Sequence, residues 1–410
     1  MPGAGPRSPT PPEPVGPRVT HRRLLAIVAL VALGAAVGIA LLWPGRVAPD
    51  PSAAPGGAPP QQALQTTELI QATLLAVEAV ADPDPTGLTG FLPDAREVEI
   101  TAAIDDTGET VTFRMTDETG DTFAAGQRVV LQRIATPGQA PVYFVSDFRR
   151  GRPMLLLAAL FAVVVVALGR LQGVRALLGL AFTFLVIVGF MIPAIIDGAS
   201  PVAVAVFGSL AIMVASLYLS HGFNAKTSAA VVGTAAALLL TGLLAAFFVE
   251  AAALTGFASE EARLLTVEVG GVDLRGLLLA GIVIGGLGVL DDVTMSQAST
   301  VFQIARADPS AGFARLFRSG LSVGRDHIAA TVNTLFLAYA GAALPLLLLF
   351  ALGVDDFATI ITSEIVAVEV VRTLVGSIGL VAAVPLTTAL AAAVVLGEPA
   401  VAHPGLASGP

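Results

Sequence analysis

The chain contains no cysteine, so disulfides, zinc-thiolate sites, iron–sulfur clusters and cysteine nucleophiles are excluded. Charge is nearly as scarce. Only 13% of the 410 residues are charged, about half the share of an ordinary soluble domain, while 55% are hydrophobic and the mean hydropathy is +0.82. Lys226 is the single lysine, and there are one tryptophan and three tyrosines. No Walker A run is present, so energy coupling within this chain has no nucleotide site to draw on. The net charge of -9 argues against a nucleic-acid partner, and most of it lies in one stretch: residues 43–152 hold 15 Asp and Glu against 8 Arg.

What the sequence has in place of charge is long apolar runs. Several reach the roughly 20 residues that cross a bilayer, which predicts an α-helical polytopic membrane protein. Residues 1–23 are rich in Pro and Gly and are expected to form a disordered cytoplasmic tail. Residues 24–43 read as a first spanning helix, long for the core of a cleaved signal peptide, which is the competing reading, and 44–65 as a Pro/Ala/Gly linker. Within residues 66–150, Glu97 to Ile104, Thr110 to Met115, Arg128 to Ile134 and Val142 to Val145 alternate as strands do. They predict a small extracytoplasmic antiparallel β-barrel of OB-like size. Seven further spans are expected between residues 153 and 396, about eight in all: 153–168, 176–196, 201–220, 227–249, 276–304, 328–352 and 373–396. A cytoplasmic tail at 397–410 completes the plan.

Short cytoplasmic loops collect Lys and Arg. An inside amino terminus puts Arg170, Arg175, Lys226, Arg306, Arg315, Arg318 and Arg325 on the cytoplasmic face and Asp197, Glu250, Glu260, Glu261, Asp355 and Asp356 outside. Residues 44–152 are then extracytoplasmic, both termini are cytoplasmic, and the expected location is the plasma or inner membrane. The run Arg149-Arg150-Gly151-Arg152 is the exception to the charge rule.

Charges at membrane depth are costly and mark functional candidates. In Gly281-Ile-Val-Ile-Gly285-Gly286-Leu-Gly288-Val-Leu-Asp291-Asp292-Val-Thr-Met-Ser296-Gln297, four glycines permit close helix approach or a broken helix. Two adjacent carboxylates follow. They repel when both are ionised, so in a dry site one holds a proton or both share a cation. A helix ending at Leu290, with Asp292 capping the next one, is the alternative. The second constellation, Gly324-Arg325-Asp326-His327-Ile-Ala-Ala-Thr331-Val-Asn333-Thr334, places Asp326 and Asn333 seven apart on one helical face, and His327 could relay protons near neutral pH. Proton or ion coupling is expected to rest on Asp291, Asp292, Ser296, Gln297, Asp326, His327 and Asn333. Glu369 and Arg372, at i and i+3, are spaced to pair.

These two constellations, with Gly222-Phe-Asn-Ala-Lys226-Thr and Val371-Arg372-Thr-Leu-Val-Gly376-Ser-Ile-Gly379, resemble the YibE/F family of bacterial membrane proteins over roughly residues 62–396. The resemblance implies a multi-span integral membrane protein with an extracytoplasmic amino-terminal domain and names no substrate. The expected function is secondary transport or permeation of a small ion or molecule across the lipid bilayer, without enzymatic activity or a cofactor. A non-catalytic scaffold or sensor, whose β-domain binds an envelope protein, is the alternative. A metal-dependent enzyme would need Asp291, Asp292, Asp326 and His327 gathered in one place.

Overall fold

The computed structural model describes residues 17–45, 66–80, 96–118, 122–137, 139–268, 271–352 and 357–397. The expected tail over 1–16, most of the 44–65 linker, Asp355 and Asp356, and the tail beyond Gly397 lie outside the described residues. The chain divides into two compact units, residues 55–164 and residues 1–54 with 165–410.

The first unit is built on five antiparallel strands: β1 (Thr66–Ala79), β2 (Arg96–Ile104), β3 (Thr110–Asp117), β4 (Arg128–Ala135) and β5 (Val142–Phe148), in the order β3-β2-β1-β4-β5. The four strands expected from the alternation are present, with small differences in their bounds. The central one, β1, is an addition. The strands curl around Ala72, Leu74, Val98, Ile100, Ala102, Val129 and Leu131, a small core of alternating inward residues. The outer strands β3 and β5 approach each other without pairing, so the sheet is a half-barrel in place of the expected closed barrel. Two members of the exceptional basic run are neutralised inside this unit. Arg149 Nη1 donates to Asp105 Oδ2 at 2.6 Å, and Arg150 Nη1 donates to Asp147 Oδ1 at 2.6 Å.

The helical unit contains α1 (His21–Leu41), the later part of α2 (Gly151–Val186), α3 (Ile192–Ile196), α4 (Pro201–His221), α5 (Ala225–Ala251), α6 (Glu260–Glu268), α7 (Leu274–Ala307), α8 (Phe313–Ala342), α9 (Leu344–Leu352), α10 (Phe357–Thr362) and α11 (Glu364–Gly397). A single π-helical turn, Ile187–Met191, joins α2 to α3. Among the described residues, six helical stretches are long and apolar enough to cross a membrane: α1, Gly151–Ile196, α4, α5, α7 and α11. The count reaches seven if α8 and α9, bent by 68°, form one span.

Two places bear on the expected eight spans. Residues 153–168 and 176–196, expected as separate spans, fall in one 46-residue helical stretch made of two helices that meet at a kink at Arg170 (φ 52°), between the two expected spans. The expected span 328–352 is not one straight helix. It breaks at Ala343, and Pro345 follows in the first turn of α9, where its missing N–H costs nothing. In addition, α8 begins at Phe313 and α11 at Glu364, earlier than the apolar runs suggest, because polar residues extend each helix. The Glu369–Arg372 pair closes at 2.7 Å.

The centre of the helical unit is the packing of α5, α7 and α11, with α4 beside α7 and α8 beside α11. Glycine permits the closest approaches. A Cβ on Gly379 would overlap Thr241, one on Gly233 would overlap Thr387, and one on Gly324 would overlap Val384. Hydrogen bonds tie the same interfaces. Thr234 and Thr294 hydroxyls meet at 2.6 Å between α5 and α7. Gln297 Nε2 donates to Gly320 O and to Thr388 Oγ1, both at 2.7 Å, joining α7, α8 and α11.

Candidate functional site

Helix α7 is continuous through the glycine run and past both carboxylates. Of the two roles open to the four glycines, close packing is therefore the one this helix uses. Gly286 approaches Thr241 of α5 and Gly285 approaches the Tyr339 hydroxyl of α8, while Gly281 and Gly288 face open space. The alternative in which Asp292 caps a new helix does not hold. Asp291 lies 17 residues after Leu274 and 16 before Ala307, and the N-cap of α7 is Asp273, whose side chain accepts from the Gly276 N–H at 2.8 Å. Depth along the bundle follows from the Thr234–Thr294 bond. Thr234 is nine residues into the 27-residue α5, about 14 Å from its start at 1.5 Å per residue, and Asp291 is nearly one turn before Thr294.

The helical repeat gathers Asp291, Asp292, Met295, Ser296 and Ser299 on one stripe of α7. Facing them on α4 are Ser216, Leu217 and His221, and together these eight residues line a cleft of about 280 Å³, room for several water molecules. The two carboxylates differ in setting. Asp292 is exposed, as is Ser296, whereas Asp291 is only partly accessible and its Oδ1 is buried without a hydrogen-bond partner. Oxygen in that condition is costly to keep ionised unless a proton, a cation or water reaches it.

The other expected site residues are distributed differently. Gln297 is buried and spends its amide nitrogen on Gly320 and Thr388, so it pins helices together and does not line the cleft. Thr294 is likewise committed, to Thr234 and to the carbonyl of Asp291 at 3.2 Å. Asp326, His327 and Asn333 lie on α8 outside the cleft. Asp326 and Asn333 are exposed, and His327 has a buried, unpartnered Nε2. Among the described residues no group of three or more His, Asp or Glu could hold a metal ion, so Asp291, Asp292, Asp326 and His327 do not assemble into the set a metal enzyme would need.

Sequence reasoning missed Ser216 and His221. Their only signal is the polar end of an otherwise apolar helix, Ser216-Leu-Tyr-Leu-Ser-His221-Gly222, which reads as a span terminus. The turn that follows is firmly built. Gly222 takes a left-handed φ of 79°, and Asn224 caps α5 by accepting from the Thr227 N–H at 2.9 Å while its Nδ2 donates to His221 O at 2.9 Å. Tyr218 and Ser228 hydroxyls meet at 2.8 Å, and Phe223 stacks on Tyr218 at 4.5 Å. His221 is thus presented to the cleft from an ordered corner.

Neither the curated proteins nor the solved structures yield a significant match. A family model, YibE/F-like protein, matches residues 157–397, which contain the glycine run, both carboxylates, the α4–α5 corner and α11, but none of the five strands. The match covers more than half of the chain, and the chain belongs to the YibE/F-like family.

Proposed function

We propose that this protein is a membrane permease in which proton or small-cation movement is coupled at the α4–α7 cleft, with Asp291 as the group that takes up and gives back the charge. The observation that carries this reading is the buried, unpartnered Oδ1 of Asp291 at the wall of a cleft whose other carboxylate, Asp292, is open. An unpaired carboxylate on an apolar helix is expensive, and a proton or cation relieves the cost reversibly. Ser216, Ser296 and Ser299 add hydroxyl oxygens that could orient water or a cation beside it.

The reading takes the amino terminus as cytoplasmic and the half-barrel as extracytoplasmic, on the positive-inside rule. The run Arg149-Arg150-Gly151-Arg152 stands as the exception to that rule, and the three loops that carry Arg170 and Arg175, Lys226, and Arg306 to Arg325 outweigh it. A second reading, a scaffold that binds an envelope protein through the strands, draws on exposed Leu69 of β1 and exposed Val142 and Phe144 of β5.

The test is proton entry into vesicles containing the full chain, driven by a potassium diffusion potential and read by a trapped pH-sensitive dye. Asp291→Asn with Asp292→Asn should reduce entry to that of empty vesicles. Unchanged entry in the double variant removes the carboxylates from the pathway.

A further inference from the structure

Two histidines lie near the candidate residues in sequence or in space, and only one of them shares the cleft. His327, beside Asp326 in the chain, lies outside it. His221, seventy residues before Asp291, lines it together with both carboxylates. We propose that His221 is the proton relay of the cleft, exchanging protons between bulk water and the Asp291–Asp292 pair. The proposal rests on the permease reading above and adds a residue and a route to it.

Three features favour it. His221 is exposed at the last turn of α4 and lines the same cleft as Asp291, which is partly accessible with one oxygen buried, so an open imidazole and a poorly reached carboxylate share one cavity. Imidazole is the side chain that changes charge near neutral pH and can accept at one nitrogen while donating at the other. Its backbone is held by the Asn224 Nδ2 bond to its carbonyl and by the Gly222 turn, so the ring is delivered from a fixed point. Among the described residues, the charged groups that face His221 are Asp292 of α7 and Lys226 of α5. The transfer balances simply: a proton from water joins one ring nitrogen, the other nitrogen's proton passes to a carboxylate oxygen, and the ring returns to neutral.

The experiment uses the full chain in the same vesicles, with His221→Ala, His221→Gln and Asp291→Asn compared for proton entry between pH 5.5 and 8.5. Both His221 variants should slow entry about a hundredfold or more, the low end for a positioned acid–base group, and change the pH profile. Imidazole added at tens of millimolar should restore entry to His221→Ala and leave Asp291→Asn inactive. Wild-type rates and pH profile in both His221 variants, with Asp291→Asn inactive, would overturn the relay and leave the permease reading standing. Slow entry in His221→Ala without imidazole rescue and with an unshifted pH profile would also overturn it, because a merely structural role gives that result. Full entry in Asp291→Asn would remove the permease reading itself, and the relay with it.

Discussion

The hydroxyls of Thr234 and Thr294 lie 2.6 Å apart between α5 and α7, and Thr294 Oγ1 also donates to the carbonyl of Asp291 at 3.2 Å. This contact holds the turn that carries the acidic pair against its neighbour. Each hydroxyl has one hydrogen, so the pair and both backbone contacts are not made at once, but when one threonine is removed the other can turn its hydrogen to its own backbone carbonyl, Thr234 to Ala230 O at 2.9 Å or Thr294 to Asp291 O at 3.2 Å. Thr234→Val and Thr294→Val are therefore expected to cost about 1 kcal/mol each, with a coupling near 0.6 kcal/mol in the double variant. Unfolding of the reconstituted protein measures both, and strictly additive losses would show that the two hydroxyls do not interact.

Glycines in this bundle should fall into two classes. Gly324→Ala and Gly379→Ala drive a methyl into Val384 and Thr241 and should destabilise by about 1–3 kcal/mol. Gly281→Ala and Gly288→Ala meet open space and should be neutral or stabilising by up to about 1 kcal/mol through helix propensity. Thermal unfolding in detergent ranks the four, and similar losses at all of them would contradict the packing described for α7 and α11.

Much of this arrangement was legible in the sequence, and what was not has identifiable causes. Long uncharged runs marked the apolar helices, and alternation marked four of five strands. The missing strand β1, Thr-Thr-Glu-Leu-Ile-Gln-Ala-Thr-Leu-Leu-Ala-Val-Glu-Ala, is rich in Ala, Leu, Glu and Gln, and a register shift between Leu74 and Ala76 interrupts its period of two. At the site, the sequence grouped Asp291, Asp292, Ser296 and Gln297 only as neighbours in one motif, and the structure puts the first three on one side of α7. The motif could not say which helix lies opposite. The i, i+4 rule orders residues within one helix, and the choice of α4 over α8 is made by packing, which brought in Ser216 and His221 and left Asp326, His327 and Asn333 outside. Gln297 shares the motif with the acids but points into the α8–α11 junction.

A carboxylate outside the cleft fastens a loop to α11. Glu364 accepts from the Thr255 N–H at 2.6 Å, the Gly256 N–H at 2.8 Å and the Thr255 hydroxyl at 2.8 Å. Glu364→Ala should speed hydrogen exchange at residues 255 and 256 by tenfold or more, corresponding to about 1.4 kcal/mol of lost protection. Exchange measured by mass spectrometry on the peptide covering 252–259 checks this, and an unchanged rate would mean that the loop is held by other contacts.

In the half-barrel, the Arg150 side chain and then the Phe148 N–H hold the Asp147 carboxyl below its ordinary value of 3.8. The folded value is the depressed one, so this interaction favours the folded state above about pH 4, and the advantage is lost as pH falls through the folded value. Arg150→Gln should raise the Asp147 midpoint toward 3.8, followed by NMR of carboxyl-labelled aspartate. An unmoved midpoint would show that the ion pair does not persist in solution.

The most direct test separates the two carboxylates. Asp291→Asn and Asp292→Asn, each alone in the full chain, are compared with wild type for proton entry into vesicles under the same imposed potential. The account predicts that Asp291→Asn, which removes the buried oxygen's charge, falls to the level of empty vesicles, while Asp292→Asn retains part of the wild-type rate. Wild-type entry in Asp291→Asn would contradict it.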